Sequence, residues 1–357
     1  MSRPRLIAFY LPQFYPTKEN DKWWEPGFTE WTNVAKAKPL FNGHYQPRIP
    51  RDLGFYDLRV PETREQQALL AREAGIEGFC YWHYWFAGRR LLDRVFTEVV
   101  ESGKPDFPFC LCWANHSWFQ KTWDPTKPDK LLIEQTYPGE QDFVNHFYAM
   151  LPAFKDKRYM KAEGRLIFGI FDSDKIDNFP LMRDIWNRLA FENGLPGFYF
   201  FGLVQGKHRL ESAEACKYDA IVYEHMPSVY REMRLTLFRR LLRLCVKKPI
   251  TLPYTTYLEE SIRFFEQHSS LIPCLLPNFD HSPRSSHKGV ILEGSTPDKW
   301  FHFCSKIKEI VEENTDNKEK IIFIKSWNEW GEGNYLEPDC KFGKEYIEMT
   351  GKAFFDT

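Results

Sequence analysis

The 357-residue chain has no apolar run of about 18 residues, the length a membrane-spanning helix needs. Its formal net charge is −1, so it has no basic excess to offer phosphate backbones or anionic lipid. No Gly-rich turn follows an early strand-like run, which argues against a dinucleotide crevice. Cys110-Leu-Cys112 has no matching Cys or His pair at ligand spacing, and neither His225 nor His281 stands at such spacing, so no metal or other cofactor is expected. The apolar run near Met1 is short and is broken by Pro12 and Gln13, unlike a signal peptide or anchor. The eight Cys are scattered singly, and Cys80, Cys110, Cys112 and Cys274 sit in apolar runs as small buried hydrophobes. These absences predict a soluble cytoplasmic protein with no nucleic-acid or membrane partner. They carry no sign of an oligomeric state.

What is abundant is aromatic. Phe, Tyr and Trp make up 17% of the chain, and many Trp and Tyr stand beside Asn, His, Asp or Glu, as where rings stack on sugars. Eight near-continuous apolar runs, at 5–11, 76–84, 107–114, 165–171, 198–204, 220–223, 271–276 and 321–326, read as strands covered on both faces. Amphipathic stretches at 62–74, 91–102, 140–154, 181–193, 235–246, 258–268 and 298–314 read as the intervening helices. Eight strands alternating with helices predict a single (β/α)8 barrel over residues 1–357, since no linker or repeat divides the chain. The irregular segment 17–60, after the first strand, is expected to drape over the mouth.

In a barrel, the site gathers at the C-terminal ends of the strands. The residues predicted there include Tyr10, His83, Tyr84, Asn115, His116, Trp118, Asp280, Arg284, Trp327, Asn328 and Tyr335, with Trp31 from the long loop. After the last strand, Trp327-Asn-Glu-Trp-Gly-Glu-Gly333 places Glu329 and Glu332 three apart among rings. Glycosidic-bond cleavage needs such a pair, one carboxyl to donate a proton and one to act as base or nucleophile. The alternative is a pair of Glu residues complementing a helix N-terminus. His83 in its aromatic run reads equally as a hydrogen-bonded core residue. Asp172-Ser-Asp174 has the form of the metal-holding Asp-x-Asp of glycosyltransferases, although a loop cap explains three residues as well.

The segments Phe28-Thr-Glu-Trp-Thr-Asn-Val34, Gly43-His-Tyr-Gln-Pro47, Asp52-Leu-Gly-Phe-Tyr-Asp57, Gly78-Phe-Cys-Tyr-Trp-His-Tyr-Trp-Phe86, Cys112-Trp-Ala-Asn115, Pro277-Asn-Phe-Asp-His-Ser-Pro-Arg284 and Trp327 to Pro338 resemble the WbsX-type family, related to glycoside hydrolase family 99. The resemblance implies a (β/α)8 glycosidase acting with retention on α-linked glycans, α-mannosides among them. It implies that Glu329 is the base that deprotonates the sugar 2-hydroxyl and that Glu332 is the acid on the leaving oxygen. Glu332 would then need a raised pKa, while Glu329 stayed ionised. A covalent glycosyl-enzyme is the other route to retention. The chain departs from the family pattern at Asn115-His-Ser-Trp118, where relatives carry Glu at the position of His116; this bears on which sugar is taken. A glycosyltransferase of surface polysaccharide assembly and a silent glycan-binding barrel are the rival functions, and the intact Glu pair weighs against the latter.

Overall fold

The continuous apolar runs form parallel strands because each is covered on both faces, by barrel interior and by helix. The computed structural model describes residues 3–121, 128–232, 248–314 and 318–355. Its strands are β1 (Arg5–Tyr10), β2 (Ile76–His83), β3 (Phe109–Trp113), β4 (Arg165–Ile170), β5 (Phe198–Gln205), β6 (Ala220–Glu224), β7 (Ile272–Leu275) and β8 (Ile321–Ile324). Each pairs in parallel with the next, and β8 pairs with β1, so the sheet closes into the expected (β/α)8 barrel. Around it lie α1 (Pro61–Glu73), α2 (Arg94–Ser102), α3 (Glu140–Phe154), α4 (Phe179–Glu192), α5 (Leu210–Ala215), α6 (Tyr254–Gln267), α7 (Pro297–Glu313) and α8 (Glu345–Phe355). The helix predicted over 235–246 lies outside the described residues. Helix α8 was not predicted; it packs against α7, where Trp300 Nε1 donates to Thr350 Oγ1 at 2.8 Å.

Strand side chains alternate between barrel interior and helix layer. Inside, Phe9 stacks on Trp82 with centroids 4.5 Å apart and meets Phe323, which meets Phe201. Gly169 makes room for Phe201, since any Cβ there would collide with that ring. Outside, Phe147, Phe154 and Trp186 from α3 and α4 pack against Phe168 and Phe198. Much of the aromatic content is therefore core. Trp113, Trp186, Trp300, Trp327 and Trp330 are fully buried.

Segment 17–60 is more ordered than its sequence suggests. It holds two short helices, Lys18–Trp23 and Glu30–Lys36, capped by Thr17 and Thr29. Thr29 forms a capping box with Thr32, which fixes the direction in which Glu30 leaves the first turn. Six and seven residues are too few to show helical periodicity. Among the described residues, no helix is long and apolar enough to cross a membrane.

Candidate active site

All eight strand ends contribute to one cavity of about 710 Å³, through residues such as Leu11, Tyr84, His116, Phe171, Gln205, Glu224, Arg284 and Glu332. Its acidic corner is built by the turn after β8. Asn328–Glu329 pairs antiparallel with Asn334–Tyr335, and a single 3-10 turn, Trp330–Glu332, joins them. The turn closes through Gly333 N–H to Trp330 O at 2.9 Å, with Gly333 at φ +52°, a conformation that favours glycine. Ser326 Oγ accepts from Glu329 N at 2.9 Å and donates to Asn334 O at 2.7 Å. Beneath, Trp330 stacks on Tyr335 at 3.7 Å and donates to Glu337 at 2.6 Å. Both catalytic candidates thus stand on a rigid, buried hairpin.

Arg284 organises the carboxylates. Its Nη1 lies 2.6 Å from Glu332 Oε1 and 3.6 Å from Glu329 Oε1. Those two oxygens are therefore no more than about 6 Å apart, the greatest separation the two distances allow. Nε and Nη2 of the same guanidinium bind Glu30 Oε2 at 3.1 and 3.0 Å. Lys325, at the end of β8, pairs with Glu224 at 3.1 Å, and Gln205 donates to the same Glu224 oxygen at 3.0 Å.

The electrostatics divide the pair. Burial, and then the charge of Glu332, push the Glu329 carboxyl up to about 7. Among the described residues, Glu329 Oε2 is buried and has no hydrogen-bond partner. Burial also opposes ionisation of Glu332, but Arg284 and Lys325 outweigh it and hold that carboxyl below its ordinary value. These opposed shifts favour the proton on Glu329 and the charge on Glu332. This is the reverse of the distribution that the resemblance-implied roles require.

The structure brings Glu329, Glu332, Tyr84, His116, Trp118 and Arg284 together around this cavity. His116 packs on Phe171 at 5.1 Å, and burial lowers its pKa. Trp118 meets Tyr84 edge-on at 5.1 Å.

The other predicted residues lie behind the wall and brace it. Tyr10 and His83 have the wrong strand parity. Tyr10 points to α1 and donates to Gln67 at 2.6 Å, and His83 faces His146 on α3 at 2.7 Å. Asn115 accepts from Asp172 N at 2.8 Å and donates to the Tyr137 hydroxyl at 2.8 Å, tying β3 to the loop after β4. Asn328 holds the Leu11 backbone from both sides, at 2.8 and 3.1 Å. Trp31 donates to Tyr56 O at 2.7 Å and packs against Trp330, while Trp327 and Tyr335 are fully buried. Asp280 accepts from His44, Gln46 and Ser282; despite its burial, the bond from His44 and the charge of Arg48 bring its pKa down to about 2.

Sequence reasoning missed Glu30 and Lys325 as lining residues, and it placed Trp82 and Glu224 at strand ends without selecting them for the site. Strand parity would have found Trp82, since it and Tyr84 share the inward face on which His83 does not lie. Asp172 and Asp174 both pair with Arg209, so the Asp-x-Asp carboxylates are already engaged. Among the described residues, no group of three or more His, Cys, Asp or Glu is arranged to hold a metal ion.

The closed eight-stranded parallel sheet and its flanking helices define a (β/α)8 barrel with a carboxylate-lined mouth. It superposes on a glycoside hydrolase-like protein with TM-score 0.59 and 13% identity, covering 99% of this chain and 94% of the other. It superposes on the GH99 endo-alpha-mannosidase from Bacteroides thetaiotaomicron with TM-score 0.58 and 13% identity, covering 98% and 96%. At that identity the likeness is one of fold. The family described as Glycosyltransferase WbsX matches residues 6–350, and the chain belongs to it. The chain is 34% identical over 354 residues to the uncharacterized protein WxcX of Xanthomonas campestris pv. campestris (strain ATCC 33913), covering 98% of this chain. It spans about half of that relative's length, 49%.

Proposed function

We propose that this protein is a retaining glycoside hydrolase acting on an α-linked oligosaccharide or polysaccharide, with Glu329 and Glu332 as its acid and base. The observation that carries the reading is Arg284 Nη1 standing within 2.6 and 3.6 Å of two buried carboxyls in an aromatic-walled cavity. An Oε1–Oε1 separation of no more than about 6 Å puts the two carboxyls close enough to act on one glycosidic bond. One protonated and one ionised member is the charge state that the chemistry uses.

In this reading, Glu332 protonates the leaving oxygen and Glu329 takes the proton of the sugar 2-hydroxyl, as the family resemblance implies. In the free protein, burial and the charge of Glu332 favour the proton on Glu329. Binding of the sugar must therefore pass one proton to Glu332 as Arg284 loosens from it. So close a pair shares its protons and titrates as a unit. Tyr84 and Trp118 offer ring surface to the sugar, and His116 presents to it an imidazole that burial disposes to be neutral. An α-mannoside is the first substrate to try, with the fold-likeness to the GH99 endo-alpha-mannosidase behind it.

The transferase reading has the family description in its favour. Its one sequence feature, Asp172-Ser173-Asp174, is engaged by Arg209. The test is incubation of the protein with α-linked oligosaccharides and surface polysaccharides, with and without nucleotide sugars and manganese. Cleavage without either additive supports the hydrolase; product formed only with a nucleotide sugar overturns it.

A further inference from the structure

Glu30 is the one acidic residue of this corner that does not come from a strand end. It is the first residue of the capped helix Glu30–Lys36 in the segment after β1, and it is buried. Its Oε2 takes two of the Arg284 nitrogens, leaving Nη1 as the single nitrogen directed at the Glu329–Glu332 pair. Space for this arrangement is made by Gly331, inside the catalytic turn. A Cβ there would collide with Glu30 Oε2 and crowd Arg284 Nε at 3.0 Å. Gly331 has no left-handed backbone to explain it, so the close approach of Glu30 is what the glycine serves.

We propose that Glu30 is a positioning residue which, by anchoring Arg284, fixes which of Glu329 and Glu332 carries the shared proton. Anchored through Nε and Nη2, the guanidinium swings only its Nη1 edge between the two Oε1 atoms. Whichever carboxyl it meets is ionised, and the other holds the proton. In the free protein the nearer partner is Glu332. A swing toward Glu329 transfers the proton to Glu332, and no other group changes charge. The remaining groups around the pair are Lys325 from β8, Glu224 from β6, His281 beside Arg284 and Tyr84 from β2. Of these, Lys325 is already held by Glu224, so Arg284 is the cation with a choice of carboxylates.

The inference concerns charge placement and rests on the hydrolase reading only for its consequence in turnover. The test is carbon-detected NMR titration of the Glu side-chain carboxyls in the full chain, with Glu329→Gln used to assign the Glu329 signal. Glu30→Gln removes both the anchor of Arg284 and the Glu30 charge that itself raises Glu329, and the Glu329 midpoint is expected to fall by about one pH unit or more. Gly331→Ala displaces Glu30 while keeping its charge, and a smaller fall is expected; it also serves if Glu30→Gln does not fold. Where turnover is measurable, the alkaline limb of kcat/KM moves by the same amount, and Glu30→Asp restores part of it. An unchanged Glu329 midpoint in folded Glu30→Gln or Gly331→Ala protein overturns the proposal. Shifted midpoints in a protein that cleaves no glycan overturn the hydrolase reading and leave the charge placement standing.

Discussion

Arg284 binds one oxygen of Glu30 with two of its nitrogens, at 3.1 and 3.0 Å, across 254 residues of sequence. The contact joins the segment after β1 to the loop after β7 directly beside the Trp330–Glu332 turn. It also puts three carboxylates, Glu30, Glu329 and Glu332, around one guanidinium.

On the proposed hydrolase mechanism, replacing either member of the pair removes one half of the acid–base chemistry. Glu332→Gln and Glu329→Gln are each expected to lower kcat by about 10²–10⁴ while leaving oligosaccharide binding within a few-fold. Steady-state kinetics with calorimetric binding on the same variants checks this. A variant that loses binding and rate together would place its Glu in recognition rather than in chemistry.

Stability should depend on pH through the raised carboxyls. Burial pushes Glu329 and Glu337 each up to about 7 in the folded protein. A carboxyl raised on folding contributes stability that is fully present below its unfolded pKa, near 4.5, and is lost as pH rises through 7. The contribution of these two carboxyls is therefore expected to decline between about pH 4.5 and 7. Buried His83, His146 and His225, whose pKa values burial lowers, contribute in the opposite sense, so the carboxyl effect is read from the difference between wild type and Glu329→Gln. Glu329→Gln should remove part of the decline and be more stable than wild type at pH 8, by on the order of 2–3 kcal/mol. Melting curves at pH 5 and pH 8 measure the difference.

Asn328 binds the Leu11 backbone N–H and C=O deep in the wall. Asn328→Ala leaves both buried groups unpaired, at a cost of about 2–4 kcal/mol. Urea denaturation would show it as a lower midpoint with an unchanged slope.

Aromatic wall residues should act on binding. Trp118 meets Tyr84 and Phe86 edge-on at the cavity wall. Trp118→Ala is expected to raise KM for an oligosaccharide by roughly tenfold with little change in kcat, the pattern of lost uniform binding.

Much of the barrel was legible because continuous apolar strands and capped amphipathic helices are local signals. All eight strands fall within two residues of their predicted bounds. Glu329 and Glu332 were legible because their aromatic surroundings are local too. What stayed hidden depended on facing. Tyr10 and His83 sit at strand ends, but alternation turns them toward α1 and α3. Asp280, Asn328 and Tyr335 look like sugar-binding groups in sequence, yet backbone and side-chain partners consume them. Glu30 could not be read at all, because its partner is brought to it only by closure of the barrel.

The central claim is tested most directly by following the anomeric protons of the first-formed product by NMR while wild-type protein cleaves an α-linked oligosaccharide, with Glu332→Gln as control. The account predicts release of the α-anomer without metal or nucleotide sugar, and no release by Glu332→Gln. Release of the β-anomer, or undiminished cleavage by Glu332→Gln, would contradict it.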